Sequence, residues 1–196
     1  MAVKRDVPVA ALAQVQVLFH GYATAGRVAS TVTFIRDGDV RVIVDPGMVP
    51  TPDAILDPLN ALGELASGIT DVVFSHHHPG HTLNAALFPN ARFHDYRATY
   101  QGDQVRHRSA HGHLASPSIR LIATPGHTPQ DITTLVGTAR GIVACTHLWW
   151  HEHGPADPLA SDLAALHEGR SRVLRLATLI IPGHGAPFTP SASTPR

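Results

Sequence analysis

The stretch HHHPGH, residues 76–81, puts four imidazoles into six positions. Imidazole is the commonest metal ligand, and its neutral ring presents a lone pair from one nitrogen. Residues two apart on an extended segment face the same way, so His76 and His78 form a pair while His77 points elsewhere. Pro79 and Gly80 then turn the chain, which lets His81 return to the same side. Three more histidines follow apolar runs: His127 in TPGH, His147 in CTH and His184 in IPGHG. Asp45, in VDPG, ends another such run. A single buried histidine is ordinarily a hydrogen-bonded core residue. Six of them at strand ends, or in the turns that follow, point to metal chemistry.

Elements that could hold these residues are legible around them. VQVLFH (15–20) reads as a first strand, and 28–47 as two strands around the turn DGD. TPDAILDPLNALGELA (51–66) has helical spacing and Thr51 as a cap, despite Pro58. ITDVVFS (69–75) is a strand running into the histidines, HTLNAALF (81–88) a short helix and ARFHD (91–95) a strand. The polar, His-rich stretch 96–116 reads as an irregular or hairpin excursion. Strands follow in 118–128, 131–137 and 141–147, then a helix over 161–177 and a last strand in 178–185. Residues 1–14 form an N-terminal extension, 15–190 one domain and 191–196 a disordered tail. Interleaved strands and helices predict a layered α/β fold with its site at loops on one end.

The order of motifs resembles the metallo-β-lactamase superfamily over nearly the whole chain. The motifs are a strand ending in Asp-x-Gly, a His-x-His-x-x-His loop, a Gly-His, a strand-end position at 147 and a final Gly-His. Compact length and the segments LNAALFP and IIPGHGAPF are similar to the small hydrolases of that superfamily. The resemblance implies an αββα sandwich in a single domain. It implies His76, His78 and His127 as a first metal site, with His81 and His184 in a second. Asp45 matches a residue that supports the ligands from behind. Two positions depart from the family pattern. Gly80 stands where the loop aspartate belongs, and His147 where an aspartate usually bridges two metals.

Six neutral imidazoles leave two divalent cations without carboxylates to offset their repulsion, which weakens the second site. Three arrangements follow. One zinc on His76, His78 and His127 with an open position is a known catalytic type. A dinuclear site would add His81, His147 and His184. The third is a site impaired at Gly80, natural or engineered. The expected cofactor is zinc, one or two ions, with iron or manganese as substitutes; all-imidazole ligation also suits copper or nickel. A zinc-bound water ionises near pH 7, which gives a hydroxide nucleophile with no side-chain nucleophile. Asp131, in GHTPQD, is the candidate for the missing aspartate's proton transfer or for a hydrogen bond to a ligand.

The expected function is a metal-dependent hydrolase of a small ester, lactone, thioester, amide or phosphoester. The alternatives are an iron-dependent oxidoreductase and a non-catalytic metal-binding domain. WWHEHGPADP (149–158) is read as a substrate wall or lid equally with rim packing, and GYATAGRVAS (21–30), with Arg27, as an entrance flank. His94, His107, His111, His113, His151 and His153 are read mostly as surface residues, and Cys145 as a buried inert thiol. Lys plus Arg equals Asp plus Glu at 15 each, which argues against nucleic-acid and anionic-membrane partners. One cysteine excludes an internal disulfide and multi-cysteine zinc modules. No signal peptide or spanning segment is read, so the expected location is cytoplasmic and the partner a small-molecule substrate.

Overall fold

The alternating runs on either side of Gly38 become β4 (Val32–Asp37) and β5 (Val40–Val44), paired antiparallel. Gly38 takes φ 59°, the left-handed turn conformation that glycine adopts without steric cost. The computed structural model describes residues 13–154 and 157–196. The remaining strands of the first half are β1 (Gln14–Phe19), β2 (Tyr22–Thr24), β3 (Arg27–Ala29), β6 (Asp71–Val73), β7 (Arg92–His94), β8 (Ala98–Gln101) and β9 (Gln104–His107). All but β2 and β3 form one sheet, ordered β1-β4-β5-β6-β7-β8-β9. The second sheet is β10 (Leu114–Ser116), β11 (Ile119–Ala123), β12 (Ile132–Thr138), β13 (Gly141–Thr146) and β14 (Leu179–Pro182), in that order. The helices are α1 (Asp53–Ala61), α2 (Pro79–Thr82) and α3 (Leu163–Leu174).

Alternation along each strand sets the layers. Ile35, Val42, Val44 and Val73 meet Leu121, Ile132, Cys145 and Ile181 between the two sheets. Their neighbours Phe34, Ile43 and Val72 face outward and receive Ile55 and Leu59 of α1. Ile122, Leu135 and Ala144 face outward on the other sheet, against Leu166 and Val173 of α3. The result is the αββα sandwich, since each sheet buries one face on the other and one under helix.

Several elements differ from the sequence reading. α1 begins at Asp53, after Pro52, and Thr51 makes no side-chain cap. The helix read over 81–88 divides into α2 and a 3₁₀ turn at Ala85–Leu87. Asn84 accounts for the break, because its N–H and side-chain amide donate to Pro46 O and Gly47 O (2.8 and 2.6 Å). β2 and β3 form a separate hairpin where only a flanking loop was read. The tail 191–196, expected to be disordered, is a turn held to the core by Trp149 Nε1–H donating to Pro195 O (2.9 Å). The proposed extension falls mostly on residues 1–12, outside the described residues.

Asp71 shows how a charge is tolerated under this sheet. It is fully buried, yet it accepts from Arg92 and sits 2.7 Å from His94 Nε2. Burial works to raise its carboxyl, but those bonds and one from Thr70 outweigh it and hold the group below 3.8. Its contribution to stability is therefore full above the unfolded value and lost as pH falls through its own lower value. Asp71→Asn should cost about 3 kcal/mol at pH 7 by chemical denaturation, and the difference from wild type should shrink in acid. An equal cost at pH 7 and at low pH would contradict this account.

Candidate metal centre

Parallel pairing gathers the site. β5 runs parallel to β6, and β13 to β14, with Val44 opposite Val73 and Thr146 opposite Pro182. Their C-terminal ends therefore open on one edge, where Asp45, the 76–81 loop, His147 and His184 leave the sheets. β11 shares the direction of β13 through antiparallel β12, which brings His127 to the same edge.

All six histidines meet there, at the floor of a cavity of about 610 Å³ walled by Tyr22, Arg27, Met48, Trp150 and Leu159. His78 Nδ1 lies 3.0 Å from both His76 Nε2 and His127 Nε2. His147 Nε2 lies 3.1 Å from His184 Nε2. Two imidazoles on one ion at about 2.0–2.1 Å have nitrogens about 3 Å apart, so these spacings fit shared ligation. The His147 ring is central, with centroids 4.2 Å from His127, 4.6 Å from His76 and 4.8 Å from His81. Burial, reinforced by neighbouring imidazoles, holds His76, His81 and His147 far below the ordinary histidine value. Burial also lowers His184 and His78. These rings stay neutral and keep a lone pair.

The outer partners decide which nitrogen faces inward. His81 Nδ1 is 2.9 Å from Asp45 Oδ2, and its Nε2 is buried without a hydrogen-bond partner. His184 Nδ1–H donates to Ala29 O (2.9 Å). His127 Nδ1 is 2.8 Å from Asp157 Oδ2, and His76 Nδ1 is 3.1 Å from Ser75 Oγ. A buried, orphaned acceptor is costly on its own. Such an atom at the centre of converging lone pairs fits a cation. Three donor triads emerge among the described residues: His76–His78–His127, His76–His81–His147 with His184 beside it, and His127–His147–Asp157.

Asp45 holds φ 53°, the one left-handed non-glycine among the described residues. That conformation aims its carboxylate at the Ser75 N–H (2.6 Å) and at His81. Burial pushes the carboxyl up to about 7, against the Ser75 hydrogen bonds. Gly183 is required for a different reason: a Cβ there would lie 2.3 Å from His147 Cδ2.

Asp131 is not among the residues lining the cavity. Its carboxylate accepts from Thr128 N–H (2.8 Å) and Thr128 Oγ1–H (2.7 Å), closing the loop that carries His127. It remains 3.9 Å from His76 Nδ1, beyond hydrogen-bond reach. The residue that sequence reasoning missed is Asp157. It lies in the WWHEHGPADP segment, 30 positions from His127, and no spacing rule connects them. Burial opposes its ionisation, but the bonds from His127 and the Leu159 N–H prevail and lower it. Trp150 walls the cavity as read, whereas Trp149 is buried in the core. His94 is buried too, not a surface residue. Asp157→Asn should weaken metal retention about 10–100-fold in chelator competition while the circular dichroism spectrum stays unchanged.

Residues 25–184 match the family model described as Metallo-beta-lactamase superfamily. Metallo-beta-lactamase domain-containing protein 1 of Xenopus laevis is 32% identical over 89% of this chain and 80% of its own length. The Homo sapiens protein of that name is 34% identical over 75% of this chain and 59% of its length, so the chain spans well under two thirds of it. Among solved structures, a quorum-quenching N-acyl homoserine lactone lactonase matches with a TM-score of 0.64 and 16% identity, over 90% of this chain and 93% of its own. A protein called TTHA1623, solved in a di-iron-bound form, matches with a TM-score of 0.64 and 18% identity, over 87% and 94%. At those identities the two structures share the fold alone. No helix among the described residues is long and apolar enough to cross a membrane.

Proposed function

The chain belongs to the metallo-β-lactamase superfamily, and from that premise we propose that it is a metal-dependent hydrolase of a small carbonyl or phosphoryl substrate. The observation that carries this reading is the convergence of six imidazoles at the floor of one open cavity. His76, His78 and His127 would hold the first ion; His81, His147 and His184 would hold a second. A bound ion supplies Lewis acidity and lowers the pKa of water toward neutrality. The protein's part is positional. Asp45, Asp157 and the Ala29 carbonyl fix ring orientation, and the exposed His78 completes the first triad at the cavity side. Tyr22, Met48 and Trp150 give an apolar wall that suits the body of an ester, lactone, thioester or amide. Zinc is the favoured metal, with iron or manganese as alternatives, and the chain acts on a small molecule.

The experiment is metal content and stoichiometry of protein purified without added metal, beside hydrolysis of a panel of small esters and lactones. One or two zinc ions per chain with hydrolysis is the expected result. The six-histidine donor set, together with the di-iron form of a structural neighbour, makes iron with oxidation the second reading. Iron with no hydrolysis would favour it. No metal after reconstitution would overturn both.

A further inference from the structure

The space between the two sheets is not apolar along its whole length. Val73 packs in the core there, and it pairs across the ladder with His94. His94 pairs with Thr99, and Thr99 with Arg106. Side chains opposite one another in a ladder share a face. The face that is valine at β6 therefore continues as histidine, threonine and arginine. Arg92 and Arg108 lie two residues from His94 and Arg106 and alternate onto the same side.

Arg92, His94, Thr99, Arg106 and Arg108 line a cavity of about 540 Å³, to which His113 and Leu114 also contribute. It shares no lining residue with the histidine centre. Among the described residues, no acidic side chain lines it. Two of its three guanidinium groups are held in place. Arg92 forks onto buried Asp71, with Nε–Oδ1 at 2.9 Å and Nη2–Oδ2 at 3.0 Å. Arg108 donates to Asp95 O (2.8 Å) and to Thr99 Oγ1 (3.2 Å), and its Nη2 lies 3.2 Å from His94 Nδ1. Arg106 lies on the exposed edge strand β9. Burial, then the Arg108, His94 and Arg92 charges, push His113 down to about 4, although Asp71 opposes them. A neutral imidazole among guanidinium groups adds a neutral N–H donor.

We propose that this cavity is a binding site for a phosphorylated small molecule, separate from the metal centre. Arg106 presents its guanidinium fork toward phosphate oxygens, while Arg92 and Arg108, held by Asp71, Asp95 and Thr99, add fixed positive charge that suits a dianion better than a monoanionic carboxylate. The chain carries no net charge, so the concentration of arginines here is a local feature and not a general basic surface.

The test is titration of the full metal-loaded chain with inorganic phosphate, pyrophosphate and acetate, followed by the His113 ring resonances in NMR. The His113 readout separates this cavity from any phosphate on the metals. Pyrophosphate should move His113 saturably below about 1 mM, with acetate at least about tenfold weaker. Arg106→Gln, at an exposed edge, should weaken the pyrophosphate response about tenfold and leave metal content and hydrolysis unchanged. An unmoved His113 up to about 10 mM, an unaltered curve for Arg106→Gln, or acetate binding as tightly as phosphate would overturn the proposal.

Discussion

His78→Ala is expected to lower affinity for the first metal on the order of 100-fold or more, with loss of hydrolysis, while the protein stays folded. His78 is the exposed member of its triad, whereas His76 and His127 are buried beneath it. Its Nδ1 stands 3.0 Å from both partners' Nε2 atoms, so removing it leaves two ligands on a site that needs three. A buried ligand such as His76 is a poorer choice, because its deletion also opens a cavity in the packed floor. The measurement is metal per chain after dialysis against a chelator, with thermal unfolding in parallel. Retention of metal and activity by His78→Ala would show that His76–His78–His127 is not the functional triad.

Gly80→Asp should act in the opposite direction. A Cβ at Gly80 meets nothing within 4 Å, and its φ lies outside the left-handed region. Gly80 also lines the cavity beside His78 and His81. The loop aspartate of the family thus has room here, and its absence is not a steric necessity. The site gathers six imidazoles, of which burial keeps His76, His81, His147 and His184 neutral, and its nearby carboxylates, Asp45 and Asp157, are bonded to the outer nitrogens of His81 and His127. A carboxylate about 4 Å from a cation is worth about 4 kcal/mol per charge at an effective dielectric of 20. Desolvation and side-chain ordering remove part of that. Affinity for a second divalent ion should still rise about tenfold or more, read as a second equivalent in a metal titration. A rise in hydrolysis with that ion would identify the natural centre as a weakened dinuclear hydrolase. Tighter metal without faster hydrolysis would assign the rate to the first site. An unchanged titration would place the second ion away from Gly80.

The local part of this site was legible in the chain. His76 and His78 were a pair because extended backbone alternates, and His127, His147 and His184 were flagged by the apolar runs before them. Interleaved strands and helices gave a layered α/β fold and the family resemblance gave the sandwich, which is built by alternation in strands such as β5, where Val42 and Val44 face one layer and Ile43 the other. Tertiary structure decided the partnerships between distant segments. It gave His127 to Asp157 and kept Asp131 for its own loop, a choice that spacing does not encode. It buried His94 against Asp71 and turned a His-rich excursion into one wall of a basic cavity. It also showed that Gly80 stands in open space, whereas Gly183 is pressed against the His147 ring. Periodicity reports which face a residue takes, because that is a property of the backbone beside it. Which group it meets there depends on strand register and on how the two sheets stack, and these are set by packing across the whole chain.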